Sequence, residues 1–410
     1  MTMDSTRLGA LCAALMVACA AGALAGATTA DDGESALSPT QLLGKRLLED
    51  PNLSEPRGMS CVSCHAPGHA FQGNNGSPVA AVALGSRPGQ LGTRKTPTLM
   101  YKTYSPAFGV YKDNEDGKET IVVKGGQFWD GRAKDLVDQT TSPLLNPAEM
   151  NNPSLDAVVK KVAEGDYAPL VKSVYGAAAF DDPKTMMANL SKAMFAYEAS
   201  ARFAPFSSKF DDVLRGRARF TPQEQRGFAL FTDPQKGNCT ACHAGKLESK
   251  DPADWILTDF TYDSLGVPRN SAIPANADAS AFDLGLCKRP GLAPMLPKEI
   301  ELSSLCGAFK VPTLRNVAVS GPYFHNGGIA SLRDAVAFYA TRDTDPRHWY
   351  PKLATGEADK FNDLPGGDKP NVNTKEVPYD RKPGQRPRLN VAEIDALTAF
   401  LGTLTDKGMK

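Results

Sequence analysis

The residues CVSCH at positions 61–65 return as CTACH at positions 239–243. In each copy two thiols are followed at once by a histidine. Two cysteines at this spacing can each form a thioether to one edge of a single porphyrin, and the adjacent histidine can then bind the iron. A structural zinc site would use the same cysteines, but it leaves the histidine of both copies unexplained. The pattern therefore predicts two covalently attached c-type haems, held by Cys61, Cys64, His65, Cys239, Cys242 and His243.

Each attachment motif follows a matching helical segment, so the repeat is longer than the motif itself. Residues 38–51 and 221–234 align without a gap. Each segment opens with a hydroxyl residue and proline, which is typical of a helix N-cap and first turn, and continues with apolar residues at helical spacing. We therefore expect an N-terminal cytochrome c domain at residues 28–215 and a C-terminal one at residues 216–410.

The remaining chain predicts a mainly α fold with long loops. Helical periodicity marks four further segments: 154–163, 183–199, 332–340 and 391–404. Strand signals are sparse. Residues 250–300 and 342–388 are rich in Pro, Gly and Asp and are predicted to form long loops. Loops of this length are uncommon unless they serve a function.

The first 27 residues have the features of a signal peptide. Arg7 precedes the apolar run 8–18, and the small residues 25–27 offer a cleavage site. A lipoprotein box ending at Cys19 is the alternative, and it would leave a lipid-anchored N-terminus. Both interpretations predict an exported protein, and we expect it in the periplasm.

Export to an oxidising compartment affects the expected oxidation state of the other cysteines. Cys287 and Cys306 lie outside the attachment motifs, and an oxidising compartment predicts a disulfide between them. Two free buried thiols are the alternative. The charge is balanced, with 46 basic and 46 acidic residues, which argues against a nucleic-acid partner.

The small number of histidines limits which residues can bind the two irons. The chain has five histidines: His65, His69, His243, His325 and His348. Two of them are the proximal ligands, and His69 follows His65 too closely to reach the opposite face of the ring. We therefore expect one iron to be open on its distal side, as reaction with peroxide requires.

Several blocks of sequence occur in an order typical of one family. They are TPTL at 96–99, QFWDGRA at 127–133, NPAEM at 146–150, VPTLRNV at 311–317 and PYFHNG at 322–327. Together with the two attachment motifs, they resemble the bacterial di-haem cytochrome c peroxidase superfamily, which includes the MauG-type enzymes. The resemblance extends from about residue 38 to residue 404.

The resemblance implies a role for several residues around the first haem, which would be the peroxide-binding one. Glu149 matches the distal acid that moves a proton as the O–O bond breaks. Gln139 matches a distal hydrogen-bond donor. Trp129 matches the aromatic relay between the two haems.

At the second haem the chain departs from the peroxidases of this family. Their sixth iron ligand is a methionine fourteen residues after the histidine of the PYFHNG block, and counting from His325 gives Tyr339. Tyrosinate is the ligand in MauG-like members. An anionic oxygen donor favours oxidised iron and lowers its potential. Packing of Tyr339 within its helix is the alternative.

A second departure concerns calcium, which the family commonly binds between the haems. The resemblance implies ligation by an asparagine side chain and by the backbone carbonyls of Ser320 and Pro322. Lys95 stands where the asparagine is expected, and an ammonium cannot ligate calcium. The sequence thus speaks against a calcium site.

These inferences favour a MauG-like peroxidase. It would react with hydrogen peroxide at the first haem and share the oxidising equivalents with a His/Tyr-ligated second haem. An external substrate, such as a protein residue, would then be oxidised. The first alternative is a cytochrome c peroxidase that removes peroxide with electrons from a small cytochrome or cupredoxin. The second is a non-catalytic di-haem electron carrier. The sequence leaves the oligomeric state open, with a homodimer as one option.

Overall fold

A computed structural model describes residues 36–115 and 118–410, so the predicted signal peptide and Cys19 lie outside the described residues. The fold is mainly helical, which confirms the predicted class. The helices are α1 (Pro39–Glu49), α2 (Cys61–Cys64), α3 (Leu136–Gln139), α4 (Thr141–Leu145), α5 (Leu155–Glu164), α6 (Ala168–Tyr175), α7 (Pro183–Glu198), α8 (Lys209–Leu214), α9 (Pro222–Thr232), α10 (Leu332–Thr341), α11 (Pro346–Trp349) and α12 (Val391–Gly402). The six helices expected from the repeat and from periodicity, α1, α5, α7, α9, α10 and α12, are all present.

The repeated segments form the same kind of helix in both halves of the chain. Ser38 caps α1 and Thr221 caps α9, each in a capping box with the residue three positions on, Gln41 and Glu224. In each box two backbone N–H groups that have no partner inside the helix find a side-chain acceptor. The matching caps explain why both helices begin at equivalent positions of the repeat.

Each repeated helix crosses a second helix at a glycine. A Cβ atom on Gly44 of α1 would lie 2.1 Å from the carbonyl oxygen of Ala193 in α7. The equivalent Gly227 of α9 would meet the carbonyl oxygen of Ala396 in α12 at 2.0 Å. Only a residue without a side chain permits such close contact between helix backbones. The two glycines therefore set the same helix crossing in each half.

Two hydrophobic cores follow from these crossings. The first gathers buried side chains of α1, α5, α6 and α7, and the second those of α9, α10 and α12. Phe210 of α8 packs in the second core, where its ring lies 5.3 Å from Trp255 and 5.8 Å from Phe400. The C-terminal tail reaches back to the first core, because the Tyr101 hydroxyl donates to Asp406 at 2.7 Å.

The strands of the described residues form two small antiparallel sheets. β1 (Gly109–Glu115) pairs with β2 (Lys118–Lys124), and β3 (Tyr262–Asp263) pairs with β4 (Phe309–Lys310). The β1–β2 hairpin was not predicted. Its alternation of apolar and polar residues is broken by a run of charges, and cross-strand pairing rather than burial holds it.

The long loops are tied to the cores by specific bonds. Cys287 and Cys306 form a disulfide with an S–S distance of 2.12 Å. Arg94 forms an ion pair with Asp283 at 2.6 Å, which joins the loop of residues 250–300 to the N-terminal half. Within the described ranges, no helix has the length and apolar character needed to cross a membrane.

Candidate active site

The first attachment motif forms a single helical turn, and the hydrogen bonds around it orient the side chain of His65. Cys61 and Cys64 bound α2, and the backbone N–H of His65 donates to the Cys61 carbonyl at 2.9 Å. The Nδ1 atom of His65 lies 3.0 Å from the Phe71 carbonyl oxygen. Because a carbonyl only accepts, Nδ1 carries the proton and Nε2 keeps a free lone pair. Burial lowers the pKa of His65 to about 4, so the imidazole is neutral and suited to binding iron.

The second motif repeats this arrangement with different partners. The backbone N–H of His243 donates to the Cys239 carbonyl at 2.8 Å, and its Nδ1 lies 3.1 Å from the Leu257 carbonyl oxygen. Burial lowers the pKa of His243 to about 4 and raises that of the Cys239 thiol to about 12. A cavity of about 190 Å³, largely apolar, opens beside the motif. Two cysteines, an oriented neutral histidine and an apolar cavity fit a covalently held haem.

Glu149 lies beside the first motif. The Asn146 side-chain amide donates to its Oε1 at 2.7 Å, which leaves Oε2 available. Burial raises the pKa of Glu149. Burial also raises the pKa of the Cys64 thiol, and repulsion by the Glu149 carboxylate adds to that shift. Gln139 ends α3 and is half-buried, and no hydrogen bond joins it to Glu149 in the described part of the chain. The geometry therefore supports an acid–base role for Glu149 more directly than a donor role for Gln139.

Trp129 lines two cavities at once. One is the cavity of the second motif. The other has about 90 Å³, is lined by residues of both halves such as Gln72, Lys95, Phe260 and Ser320, and is here called the inter-haem cavity. Its indole Nε1 donates to the Lys95 carbonyl at 2.8 Å, and its own carbonyl accepts from the Lys310 backbone at 2.8 Å. The ring is thus held in place between the two sites.

Tyr339 projects from α10 into the cavity of the second motif. Burial, together with the nearby Asp263, raises the pKa of its phenol. Its ring lies 6.3 Å from that of Tyr379. Met295, in contrast, is 41% exposed and does not line this cavity, and neither does any other methionine of the described residues.

The other histidines are engaged elsewhere. His69 is exposed and bonded through Nδ1 to the Lys410 carbonyl at 2.8 Å, and His348 contacts the Trp349 ring at 4.5 Å. His325 lines the cavity of the second motif and stacks on Phe309 at 3.5 Å. Among the described residues, no second histidine is therefore seen to pair with His65.

Sequence reasoning assigned no role to two residues of the second cavity. His325 is buried with its Nε2 unpaired, although the block that contains it was recognised. The Tyr379 hydroxyl donates to Asp263 at 3.2 Å. Tyr379 lies in a loop with no periodicity or motif, so no sequence signal could have singled it out.

The chain is similar to several di-haem peroxidases. The family model for di-haem cytochrome c peroxidase matches residues 39–219. Methylamine utilization protein MauG from Paracoccus denitrificans is 36% identical over 98% of this chain and 96% of its own length. Cytochrome c551 peroxidase from Pseudomonas aeruginosa is 29% identical over 72% of this chain and 70% of its own length. The crystal structure of the diheme peroxidase BthA from Burkholderia thailandensis matches with a TM-score of 0.82 and 42% identity, covering 91% of this chain and 89% of that one.

Proposed function

Because the chain belongs to the di-haem cytochrome c peroxidase family, and is therefore an oxidoreductase, we propose that it is a MauG-like peroxidase. It reacts with hydrogen peroxide at the first motif, passes oxidising equivalents through Trp129 and oxidises an external substrate such as a protein residue. One observation carries this proposal: Tyr339, rather than a methionine, faces the cavity of the second motif.

The haems, when bound through the two motifs, supply the redox chemistry. The residues of the chain supply acid–base chemistry and ligation. Because Asn146 occupies Oε1 of Glu149, Oε2 is left to take a proton from hydrogen peroxide and return it to the departing oxygen. The pKa of this carboxyl is raised by burial, which makes it a stronger base than an exposed glutamate and favours uptake of the first proton.

In this proposal Tyr339 and His243 would together hold the iron of the second haem. A buried phenol gives up its proton only when a cation compensates the charge, and iron at this position would do so. The resulting oxygen donor lowers the iron potential. Ligation by Tyr339 would thus disfavour electron uptake from a high-potential donor and would favour retention of an oxidising equivalent.

Exchange of Tyr339 tests the proposal. The Tyr339→Phe variant should lose the low-spin signal of the second haem in electron paramagnetic resonance, whereas Met295→Leu should leave it unchanged. The resting wild-type protein should show one high-spin and one low-spin haem. If Met295→Leu removes the low-spin signal instead, the ligand is the methionine and the proposal fails.

The second candidate is a cytochrome c peroxidase, which the similarity to cytochrome c551 peroxidase favours. In that case the second haem receives electrons from a small cytochrome or cupredoxin. Stopped-flow spectra after one equivalent of peroxide distinguish the two candidates. An oxidised state that persists over both haems supports the MauG-like enzyme, and rapid cytochrome-dependent turnover supports the other.

We place the enzyme in the periplasm with both haems covalently bound. Mass spectrometry of the exported protein should give a chain that begins after residue 27 and carries two haem masses. A chain that begins with a lipidated Cys19 would instead indicate a membrane-anchored enzyme. A mass without haem would contradict covalent attachment.

A further inference from the structure

The inter-haem cavity is lined by three lysines whose positive charges have no ion-pair partner. Lys95, Lys102 and Lys310 all border it. Among the described residues, no ion pair joins any of the three to a carboxylate, and Glu198 acts on Lys102 only through space. Buried ammonium groups are costly unless they are paired. Three of them around one cavity therefore indicate that the cavity receives negative charge.

Two of the three lysines are fixed by neutral groups. The Nζ atom of Lys95 donates to Gln72 Oε1 at 3.2 Å, and Gln72 Nε2 donates to Ser320 Oγ at 2.7 Å. The Nζ atom of Lys310 donates to Ser105 Oγ at 2.6 Å and to the Gly126 carbonyl. Lys95 and Lys310 are therefore held in position by hydrogen bonds to groups that carry no charge.

The backbone of Lys95 is also held from both sides. Its N–H donates to the His325 carbonyl at 2.8 Å, and its carbonyl accepts from the Trp129 indole at 2.8 Å. The Lys95 backbone is therefore anchored to the relay tryptophan on one side and to the block that contains His325 on the other.

Burial and mutual repulsion lower the pKa values of the lysines in this cluster. Burial and the charge of Lys102 lower the pKa of Lys95 to about 7, and burial lowers that of Lys102 to about 8. The buried Glu198 is the acidic group that acts on Lys102, and one carboxylate cannot balance three cations. The cluster needs further carboxylates to remain fully charged.

The same cluster argues against a calcium ion. Calcium takes six or more oxygen ligands, and here Gln72, which donates to Ser320 Oγ, accepts a hydrogen bond from the Lys95 side chain. The three lysine side chains around this cavity of about 90 Å³ offer no ligand oxygen, and the positive charge that they carry repels an added cation. The residues that are present do not fit the calcium implied by the resemblance.

We propose that Lys95, Lys102 and Lys310 form a built-in cationic site that binds the propionate carboxylates of the two haems, so that this chain holds them without a divalent metal. The proposal rests on the two haems of the proposed function. It differs from the calcium-dependent arrangement because the charge is part of the polypeptide and cannot be removed by a chelator.

The first test measures metal in the holoenzyme. After dialysis against calcium and then against plain buffer, elemental analysis should find no calcium above the buffer level. Treatment with a chelator should leave the haem spectra and both midpoint potentials unchanged. Retention of about one calcium per chain, or a spectral change on chelation, would overturn the proposal.

The second test removes the charge. In Lys95→Met the midpoint potentials should fall, because a positive charge near a haem favours the reduced state. Lys95→Arg should keep the wild-type potentials, and Lys112→Met, at an exposed lysine with 73% of its side chain accessible, should do the same. Unchanged potentials in a folded Lys95→Met holoenzyme would refute a charge role, and Lys102→Met provides the same test if that variant does not fold. Potentials and metal content are measured without peroxide, so their outcome is independent of whether the enzyme turns over peroxide.

Discussion

The two attachment sites are alike on one side and different on the other. On the proximal side both histidines direct Nδ1 to a backbone carbonyl, His65 to Phe71 and His243 to Leu257. Glu149 lies beside the first motif, whereas the phenol of Tyr339 faces the cavity of the second. In the proposed function, the repeated motif would attach each haem, and one non-repeated residue would decide whether the site moves protons or gives the iron a further ligand.

The largest effect should come from removing the acid of the first site. Glu149→Gln keeps the shape of the side chain but cannot accept a proton. The rate of reaction with peroxide should fall by about 10²–10⁴-fold, the usual contribution of a positioned general acid–base. Stopped-flow absorbance at the high-spin haem measures it.

Glu164→Gln is a matched control for this prediction, since Glu164 forms an exposed ion pair with Arg57. It should react at the wild-type rate. If Glu149→Gln also reacts at that rate, the difference between the two sites does not lie in this carboxylate.

The next effect concerns His325, which has no counterpart at the first site. Burial lowers its pKa from 6.5 to about 4, with Arg94 adding to the shift and Asp283 opposing it. Between these values the unfolded chain binds a proton that the folded chain does not, so stability is lost as the pH falls from about 6.5 towards 4. The loss from this histidine should total about 3 kcal/mol.

Melting temperatures measured from pH 7 to pH 4 test this prediction. The curve of His325→Gln should fall less steeply than that of the wild type. His348→Gln, at an exposed histidine, should follow the wild-type curve. If the curves of all three proteins are parallel, groups other than His325 cause the loss of stability at low pH.

A smaller effect is expected at the helix crossing that both halves share. In Gly227→Ala the new Cβ would lie 2.0 Å from the Ala396 carbonyl oxygen, so α9 and α12 must separate. The gain in helix propensity offsets only part of this, and we expect a net loss of roughly 1–3 kcal/mol. Gly44→Ala should cost a similar amount in the first half.

Thermal unfolding followed at each haem measures both changes. Gly402→Ala is the control, because this glycine ends α12 with open space around it. It should be neutral or slightly stabilising. Equal losses for Gly44→Ala and Gly227→Ala support equivalent halves, and a loss at only one would show that the repeat is not equivalent in energy.

The caps and the attachment motifs could be predicted because each is a local pattern that occurs twice. The two glycines lie in the same repeat, but their close contacts became apparent only in the structure. Periodicity likewise predicted helices such as α7 and α12. The lysines of the inter-haem cavity come from segments far apart in the chain, as the contact of Lys310 with Gly126 shows. No local pattern marks such a cluster. The β1–β2 hairpin was missed because cross-strand partners, rather than a buried face, stabilise it.

The smallest effect on stability should come from Trp129, which connects the two sites. Trp129→Phe removes the indole N–H that bonds to the Lys95 carbonyl, at a cost of about 1 kcal/mol. Both haems should remain attached, but the second should respond more slowly after peroxide reacts at the first. Rapid-freeze spectra taken over time measure that delay. Trp349→Phe is the control because Trp349 lines neither cavity. If the two variants exchange oxidising equivalents equally fast, the route between the unlike sites does not pass through Trp129.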